Sequence, residues 1–327
     1  MPIGLQAQDL HKTYRTGRGK PPVEALRGVS FTAHSGTVFA LLGPNGAGKS
    51  TTAKVLSTLA KPDSGRAEVA GIDVVAHPDA VRRTIGFVAQ QAVSEPMDTG
   101  RENLLLSGRI HGMSRRDARA RADELLDLFT LGDAGDRLVK IYSGGMSRKL
   151  DVALGIMHRP QVLFLDEPTT GLDPRSRAQL WSMVRGLADQ GTTVLLTTQY
   201  LDEAERLADR VGVLDAGTVV AEGTPDELKA QVNGDRLIFT FATDDDLAAS
   251  ARLHPEAEAD PDALQLGMTT ADAVADIRVF LTECQLNGIG IADISIAGPT
   301  LDDVFFQLTG HETKPDDNTA AIEEKAA

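Results

Sequence analysis

Runs of consecutive apolar residues recur through the first two-thirds of the chain, separated by stretches with helical spacing. The runs at 37–42 and 162–166 are apolar at nearly every position rather than at alternate ones, and 193–198 sets Val194, Leu195 and Leu196 together between threonines. That is the pattern of strands buried on both faces. Helical stretches begin at Lys49, Ser114, Arg175 and Leu201. The first stops before Lys61-Pro62, because proline cannot continue a helix. Ser114 offers an N-cap with Asp117 three residues on, and its helix runs to Phe129. The helix over 175–190 ends at Gly191. Apolar strands alternating with helices predict a parallel, helix-covered sheet, an α/β architecture. Segments 3–10 and 23–33 read as strands of a separate antiparallel layer, joined by the glycine-, proline- and base-rich loop 16–22. A strand pair is expected around Gly71 within 69–75, and a hairpin around Ala216-Gly217 joins 211–214 to 218–221.

After residue 230 the pattern restarts: strand 237–241, helix 270–285, strand 289–296, helix 301–308. A small α+β domain over 231–310 is therefore expected behind a large domain over 1–230. The polar, charged segment 311–327 reads as a disordered tail. Charge marks the same boundary. Residues 1–230 hold 28 Lys+Arg and 28 Asp+Glu, whereas 231–327 hold 5 and 19, so the whole net charge of −14 lies in the second part. Phosphates would be repelled there, which argues against nucleic acid as a partner. The single cysteine, Cys284, excludes an intrachain disulfide and reads as a buried helix residue. No stretch reaches the ~18 apolar residues of a membrane-spanning helix, and the N-terminus carries no secretory pattern. The expectation is a chain on the cytoplasmic side; membrane work would need another chain to supply the spans.

Three motifs carry chemistry. Gly43-Pro44-Asn45-Gly46-Ala47-Gly48-Lys49-Ser50, followed by Thr51, fits the spacing of a phosphate loop between a buried strand and a helix. Its glycines let backbone N–H groups converge on phosphate, and the helix N-terminus adds partial positive charge. Lys49 supplies a point charge for the β- and γ-phosphates, and Ser50 a hydroxyl for Mg²⁺. Next, Asp166-Glu167 ends a buried strand. Beside a phosphate loop, Asp166 can hold Mg²⁺ through water and Glu167 can orient the attacking water. Third, Ser143-Gly144-Gly145 precedes a helix expected near Arg148, another anion-compatible helix start but more often a plain cap.

In order, the phosphate loop, Gln90, Ser143-Gly144-Gly145, Asp166-Glu167, Gly171-Leu172-Asp173 and Thr197-Thr198-Gln199 closely resemble the ATP-binding subunit of ABC transporters, throughout 1–230. The stretch from Leu196 to Glu205 and the ending from Pro299 to Gly310 resemble a narrower branch, the daunorubicin/doxorubicin-resistance type of drug-export ATPase. The resemblance implies a P-loop NTPase with an antiparallel β subdomain and a helical subdomain. It implies that Tyr14 stacks on adenine and that Gln90 senses Mg²⁺ and the γ-phosphate and links to the membrane partner. Asp173 would sit at a dimer interface. Ser143, Gly144 and Gly145 would close over the γ-phosphate of a second copy. The helical region near 95–140 would meet a membrane-spanning permease.

Tyr142 and Met146 stand where many members have leucine and glutamine, with little consequence expected, since the serine and glycines are intact. Gln199 replaces a histidine. Its amide can donate to the γ-phosphate but cannot titrate near pH 7. The expected function is ATP hydrolysis by a homodimer of ATP-binding domains at the cytoplasmic face of the membrane, driving export of a hydrophobic drug or secondary metabolite. Two alternatives stand beside it: a regulatory ATP-binding module with negligible turnover, and a soluble ABC ATPase not coupled to a membrane.

Overall fold

Two long strands, β1 (Ile3–Tyr14) and β2 (Val23–His34), pair antiparallel and bury every second or third side chain, leaving one face for a core. The computed structural model describes residues 2–15, 21–231, 235–270, 272–298 and 300–309. Most of the loop expected at 16–22, and the whole tail expected at 311–327, lie outside the described residues. The chain divides into two units, one ending at Pro225 and the other beginning at Asp226.

In the first unit, β3 (Val38–Leu42) leads into α1 (Lys49–Leu56). Then come β4 (Ser64–Val69), β5 (Ile72–Asp73), α2 (Pro78–Thr84) and β6 (Ile85–Val88). Three helices follow: α3 (Gly100–Ile110), α4 (Arg115–Leu128) and α5 (Gly144–Gly155). The remainder is β7 (Val162–Asp166), α6 (Pro174–Asp189), β8 (Thr193–Thr198), α7 (Leu201–Leu207), β9 (Arg210–Asp215) and β10 (Thr218–Gly223), and α8 (Pro225–Lys229) crosses the boundary.

Two sheets result. The strands ordered β2-β1-β4-β5 form the expected antiparallel layer. The other sheet has the order β10-β9-β3-β8-β7-β6, parallel except for β10 at its edge. Residues of β3, β7 and β8 are buried without exception, including the three threonines of β8 and Asp166 at the end of β7. Phe31 of β2 stacks on Phe39 of β3 with centroids 4.8 Å apart. Around that pair one aliphatic core serves both sheets, with Ala53, Val55 and Leu56 of α1 built into it. The β3–α1 junction is thus anchored on both sides.

Helix ends follow their caps. Thr99 and Glu102 close a capping box on α3, and Ser114 accepts from the Asp117 amide at 3.1 Å to start α4. Several boundaries differ from the sequence reading. Helix α1 stops at Leu56, where Thr58 turns left-handed (φ 65°), rather than at Lys61. Helix α5 starts at Gly144 instead of near Arg148, because Ser143 caps it. Helices α2 and α8 and strand β6 answer to no segment read as such from the sequence, and α3 falls within the helical region that the resemblance placed near 95–140.

The second unit contains β11 (Asp235–Phe241), α9 (Asp244–Leu253), β12 (Glu258–Asp260), β13 (Gln265–Thr270), α10 (Ala273–Asn287), β14 (Ile291–Ala297) and α11 (Leu301–Thr309). Its sheet is antiparallel, in the order β12-β13-β11-β14. Phe239 stacks on Phe280 of α10 at 3.7 Å, and Cys284 is buried in the same core. The helix expected from Thr270 starts at Ala273, since Thr270 ends β13, a strand not foreseen.

Candidate functional site

The end of β3 delivers the chain into a turn that tolerates few side chains. A Cβ on Gly43 would lie 2.1 Å from the Leu214 carbonyl oxygen. Gly46 and Gly48 have φ of +87° and +109°, and a Cβ on Gly48 would also lie 2.6 Å from the Ala25 carbonyl oxygen. Side-chain-free backbone is required here by both torsion and space. The turn opens on a cleft of about 340 Å³ whose walls include Asn45, Lys49, Ser50, Thr51, Gln90 and Glu167.

Lys49 is only 4% exposed. Its Nζ donates to the carbonyls of Gly43 (2.7 Å) and Pro44 (3.0 Å) and lies 3.5 Å from Glu167 Oε1. Burial pushes the ammonium below its ordinary pKa, and the Glu167 carboxylate opposes that push. A fixed, poorly hydrated cation beside a glycine-rich turn at a helix N-terminus is suited to bind polyphosphate.

Two acids face it from the end of β7. Asp166 Oδ1 accepts from Ser50 Oγ at 2.9 Å and from Thr197 Oγ1 at 2.5 Å. Thr197 was not foreseen as a site residue; the parallel β7–β8 register sets it directly beside Asp166. Glu167 sits in the left-handed region (φ 46°), which a residue with a side chain adopts only when its surroundings demand it. Its amide donates to the Thr197 carbonyl at 3.0 Å, and its Oε2 accepts from Gln90 Nε2 at 2.9 Å. So Gln90, Lys49 and Glu167 meet at one point, with Ser50 and Asp166 beside it.

The other expected residues stand apart from that point. Tyr14 pairs across the sheet with Val23, a cleft residue, but its own ring lies outside the lining, with Lys12 Nζ 5.5 Å from the centroid. Gln199 follows β8 directly, is half-buried, and is not among the lining residues. Ser143, Gly144 and Gly145 do not line the cleft either. Ser143 caps α5 by accepting from the Met146 amide at 3.3 Å. A Cβ on Gly144 would meet nothing within 4 Å, whereas one on Gly145 would lie 2.5 Å from Ser176 Oγ. That hydroxyl donates to Asp173 Oδ2 at 2.6 Å, and the Ser176 amide donates to Oδ1 at 2.9 Å. These bonds hold the Asp173 carboxyl below its usual pKa. The starts of α5 and α6 therefore form one assembly.

Tyr142 has more to do than the sequence reading allowed. Its hydroxyl donates to the Ala134 carbonyl at 2.7 Å, and a Cβ on Gly100 would lie 2.4 Å from that oxygen. The tyrosine thus ties the residue before the Ser-Gly-Gly turn to the start of α3. A leucine at this position has no group to make that bond.

A phosphate loop on a mostly parallel sheet, acids at the end of the next strand but one and an antiparallel layer over α1 define a P-loop NTPase of the ABC ATPase type. Residues 26–170 match the ABC transporter family. The chain is 50% identical over 293 residues to the daunorubicin resistance ATP-binding protein DrrA3 of Streptomyces coeruleorubidus, spanning 89% of this chain and 93% of that protein. It is 48% identical over 331 residues to the daunorubicin/doxorubicin resistance ATP-binding protein DrrA of Streptomyces peucetius, spanning 99% and 98%. Among solved structures, the dimeric post-hydrolysis state of the ATP-binding cassette MJ0796 bound to ADP and Pi matches with a TM-score of 0.61 at 27% identity. That match covers 67% of this chain and 98% of the other. The chain belongs to the ATP-binding subunits of ABC transporters, and it is an ATPase.

Proposed function

We propose that this ATPase powers export of a hydrophobic drug or secondary metabolite through a separate membrane permease, working as a pair of copies at the cytoplasmic face. No described helix is long and apolar enough to cross a membrane, which leaves the spans to the partner. The observation that carries the reading is the separation of the two glycine-rich turns. The phosphate loop has Lys49, Gln90 and Glu167 converging on it, while Ser143–Gly145 lies outside the same chain's cleft. A second copy supplying that turn would complete each site, making ATP the bridge between copies.

Within the site, Tyr14 stacks on the adenine, and residues Gly43 to Thr51 wrap the phosphates. Ser50 and Asp166 share one spot as hard oxygen donors, with the Gln90 amide oxygen as a third candidate, a set suited to Mg²⁺. That ion, when bound, neutralises charge on the β- and γ-phosphate oxygens. Lys49 stabilises the same charge from the protein side. Glu167, held between Gln90 and Lys49, accepts a hydrogen bond from the attacking water and aligns its oxygen. The water oxygen bonds to the γ-phosphorus as the bond to the bridging oxygen breaks; ADP leaves with that electron pair, and the proton the water gives up passes by way of Glu167 to the released phosphate. Gln199 donates its amide to the γ-phosphate. Asp173 lies at the interface between copies. Losing the γ-phosphate unties the copies, and the helical region near 95–140 passes the motion to the permease. The acidic domain after residue 230 supports the dimer or regulates it.

The test uses inverted membrane vesicles containing the permease with wild-type chain or Glu167→Gln. Wild type should accumulate a fluorescent, planar hydrophobic drug on addition of Mg-ATP, and the variant should not. Purified variant should lose about 10²- to 10⁴-fold in phosphate release yet elute as a dimer with ATP. Turnover without cargo movement would reject export. Full turnover in the variant would remove Glu167 from its role. ATP binding with no turnover in the wild type, even with permease present, would favour the regulatory module.

A further inference from the structure

Helix α5 carries three buried charges, Arg148, Lys149 and Asp151, and the first and last of them face the segment around Gln90. Arg148 is 7% exposed and Asp151 2% exposed, three residues apart on one face of the helix. The Arg148 guanidinium donates through Nη1 to the Ala89 carbonyl (2.6 Å), through Nε to the Pro168 carbonyl (2.7 Å) and through Nη2 to the Asp166 carbonyl (3.2 Å). Ala89 immediately precedes Gln90, and Asp166 and Pro168 flank Glu167. One planar fork therefore holds the backbone on both sides of the 2.9 Å Gln90–Glu167 hydrogen bond. Asp151 Oδ1 accepts the amides of Val93 (3.3 Å) and Ser94 (3.1 Å), three and four residues beyond Gln90. One residue further on, Asn103 of α3 accepts from the Glu95 amide at 2.7 Å and donates to its carbonyl at 3.1 Å.

We propose that Arg148 and Asp151 are positioning residues, a two-point latch that fixes the Gln90 loop to the helix opened by the Ser-Gly-Gly turn. Taking a guanidinium and a carboxylate out of water is costly, and apolar packing would serve stability alone at least as well. What the charges add is geometry. Ser143 to Gly145 form the first turn of α5 and the latch lies in the next two, so a rigid helix couples them. The latch holds Gln90 against Glu167 at 2.9 Å and ties that aligned pair to the turn, so the second copy's nucleotide meets a turn already in register with the hydrolytic residues. This rests on the two-copy reading above.

The test is a double-mutant cycle on the full chain: Arg148→Met, Arg148→Lys and Asp151→Leu, each alone and with Gln90→Ala. Steady-state phosphate release gives kcat and KM, and binding of a fluorescent ATP analogue to the dilute chain gives monomer affinity. Arg148→Met should lower kcat about 10- to 100-fold while KM and monomer affinity stay within about twofold. Arg148→Lys should recover part of the loss. Combined with Gln90→Ala, the total loss should fall short of the product of the single losses by at least about fivefold. Asp151→Leu, which removes the oxygen that accepts the Val93 and Ser94 amides, carries the same expectation if Arg148→Met fails to fold. Losses that multiply independently, or that appear equally in monomer affinity, would overturn the latch and leave both residues as structural supports. Glu167→Gln run alongside separates the two ideas. If it fails to trap an ATP-dependent dimer, the two-copy reading falls. If it traps one while the cycle is additive, only the latch falls.

Discussion

Two glycine-rich turns open helices in the first unit, and their surroundings differ. At α1, Gly43, Gly48 and Lys49 are buried, and Ser50, Asp166, Glu167 and Gln90 are joined by bonds between 2.5 and 3.5 Å. At α5, Ser143 and Gly144 are exposed, and the side chains bonded next to the turn are Ser176 and the acid Asp173. Both helices offer free amides to an anion. Only the first brings a cation, Lys49, against two carboxylates from the end of β7 and an amide from the end of β6. A helix N-terminus supplies about half a charge, which polyphosphate shared with water would hardly notice. The second turn thus reads as half of a site that another molecule completes.

The comparison is broken most severely at the first turn. Gly48→Ala forces a side chain into a left-handed position at φ +109°, 2.6 Å from the fixed carbonyl of Ala25. Strain of ~1–3 kcal/mol lands where the amides must converge, so monomer affinity for ATP should fall about 10- to 100-fold. Equilibrium titration of the dilute chain, with circular dichroism to confirm folding, measures this. Unchanged affinity would mean that the loop's shape is not what binds.

The matching change at the second turn should have a different signature. In Gly145→Ala the new Cβ would press on Ser176 (Oγ at 2.5 Å, Cβ at 2.9 Å), so the starts of α5 and α6 must separate. Monomer affinity for ATP should stay within twofold or so, because this turn is outside the chain's own cleft. Turnover and ATP-dependent dimerisation should fall about tenfold, the result of displacing a group that acts only in the closed state. An equal loss of monomer affinity would show that the turn serves its own chain's site.

The first turn was readable because its chemistry is contiguous. Eight successive residues state a torsion need, a charge and a hydroxyl, and the buried strand before them fixes their direction. The paired acids were readable for the same reason. Thr197 and Arg148 were not, because their partners are set by register and helix packing. Thr197 meets Asp166 through the parallel β7–β8 pairing, and Arg148 reaches carbonyls 18, 20 and 59 residues away. A buried Arg-x-x-Asp on an otherwise apolar helical face was the available signal. In the second unit, β12 is fully exposed and β13 carries Gly267 and four polar or half-buried positions, so neither shows the alternation that marks a strand. Helix α9 opens with three aspartates, which look like a loop until Thr243 is seen capping the Asp246 amide.

The smallest effect sharpens the comparison at Tyr142, the residue just before the second turn. Tyr142→Phe keeps the ring and deletes the 2.7 Å hydrogen bond to Ala134. The lost bond is worth ~1 kcal/mol, because the hydroxyl is partly buried and the Ala134 carbonyl loses its donor. For a domain of this size that lowers the melting temperature by about 2–4 °C. Burial raises the tyrosine's pKa, so the hydroxyl stays a donor across neutral pH and the loss should not vary there. If the tether also sets the turn, turnover should fall about two- to fivefold while monomer ATP affinity holds. Thermal melts and phosphate release on the same preparation decide between the two roles. A lower melting temperature with full turnover would make Tyr142 a brace for α3 alone. Both effects together would mean that the Ser-Gly-Gly turn is positioned from behind by the tyrosine as well as from the side by Asp173 and Ser176.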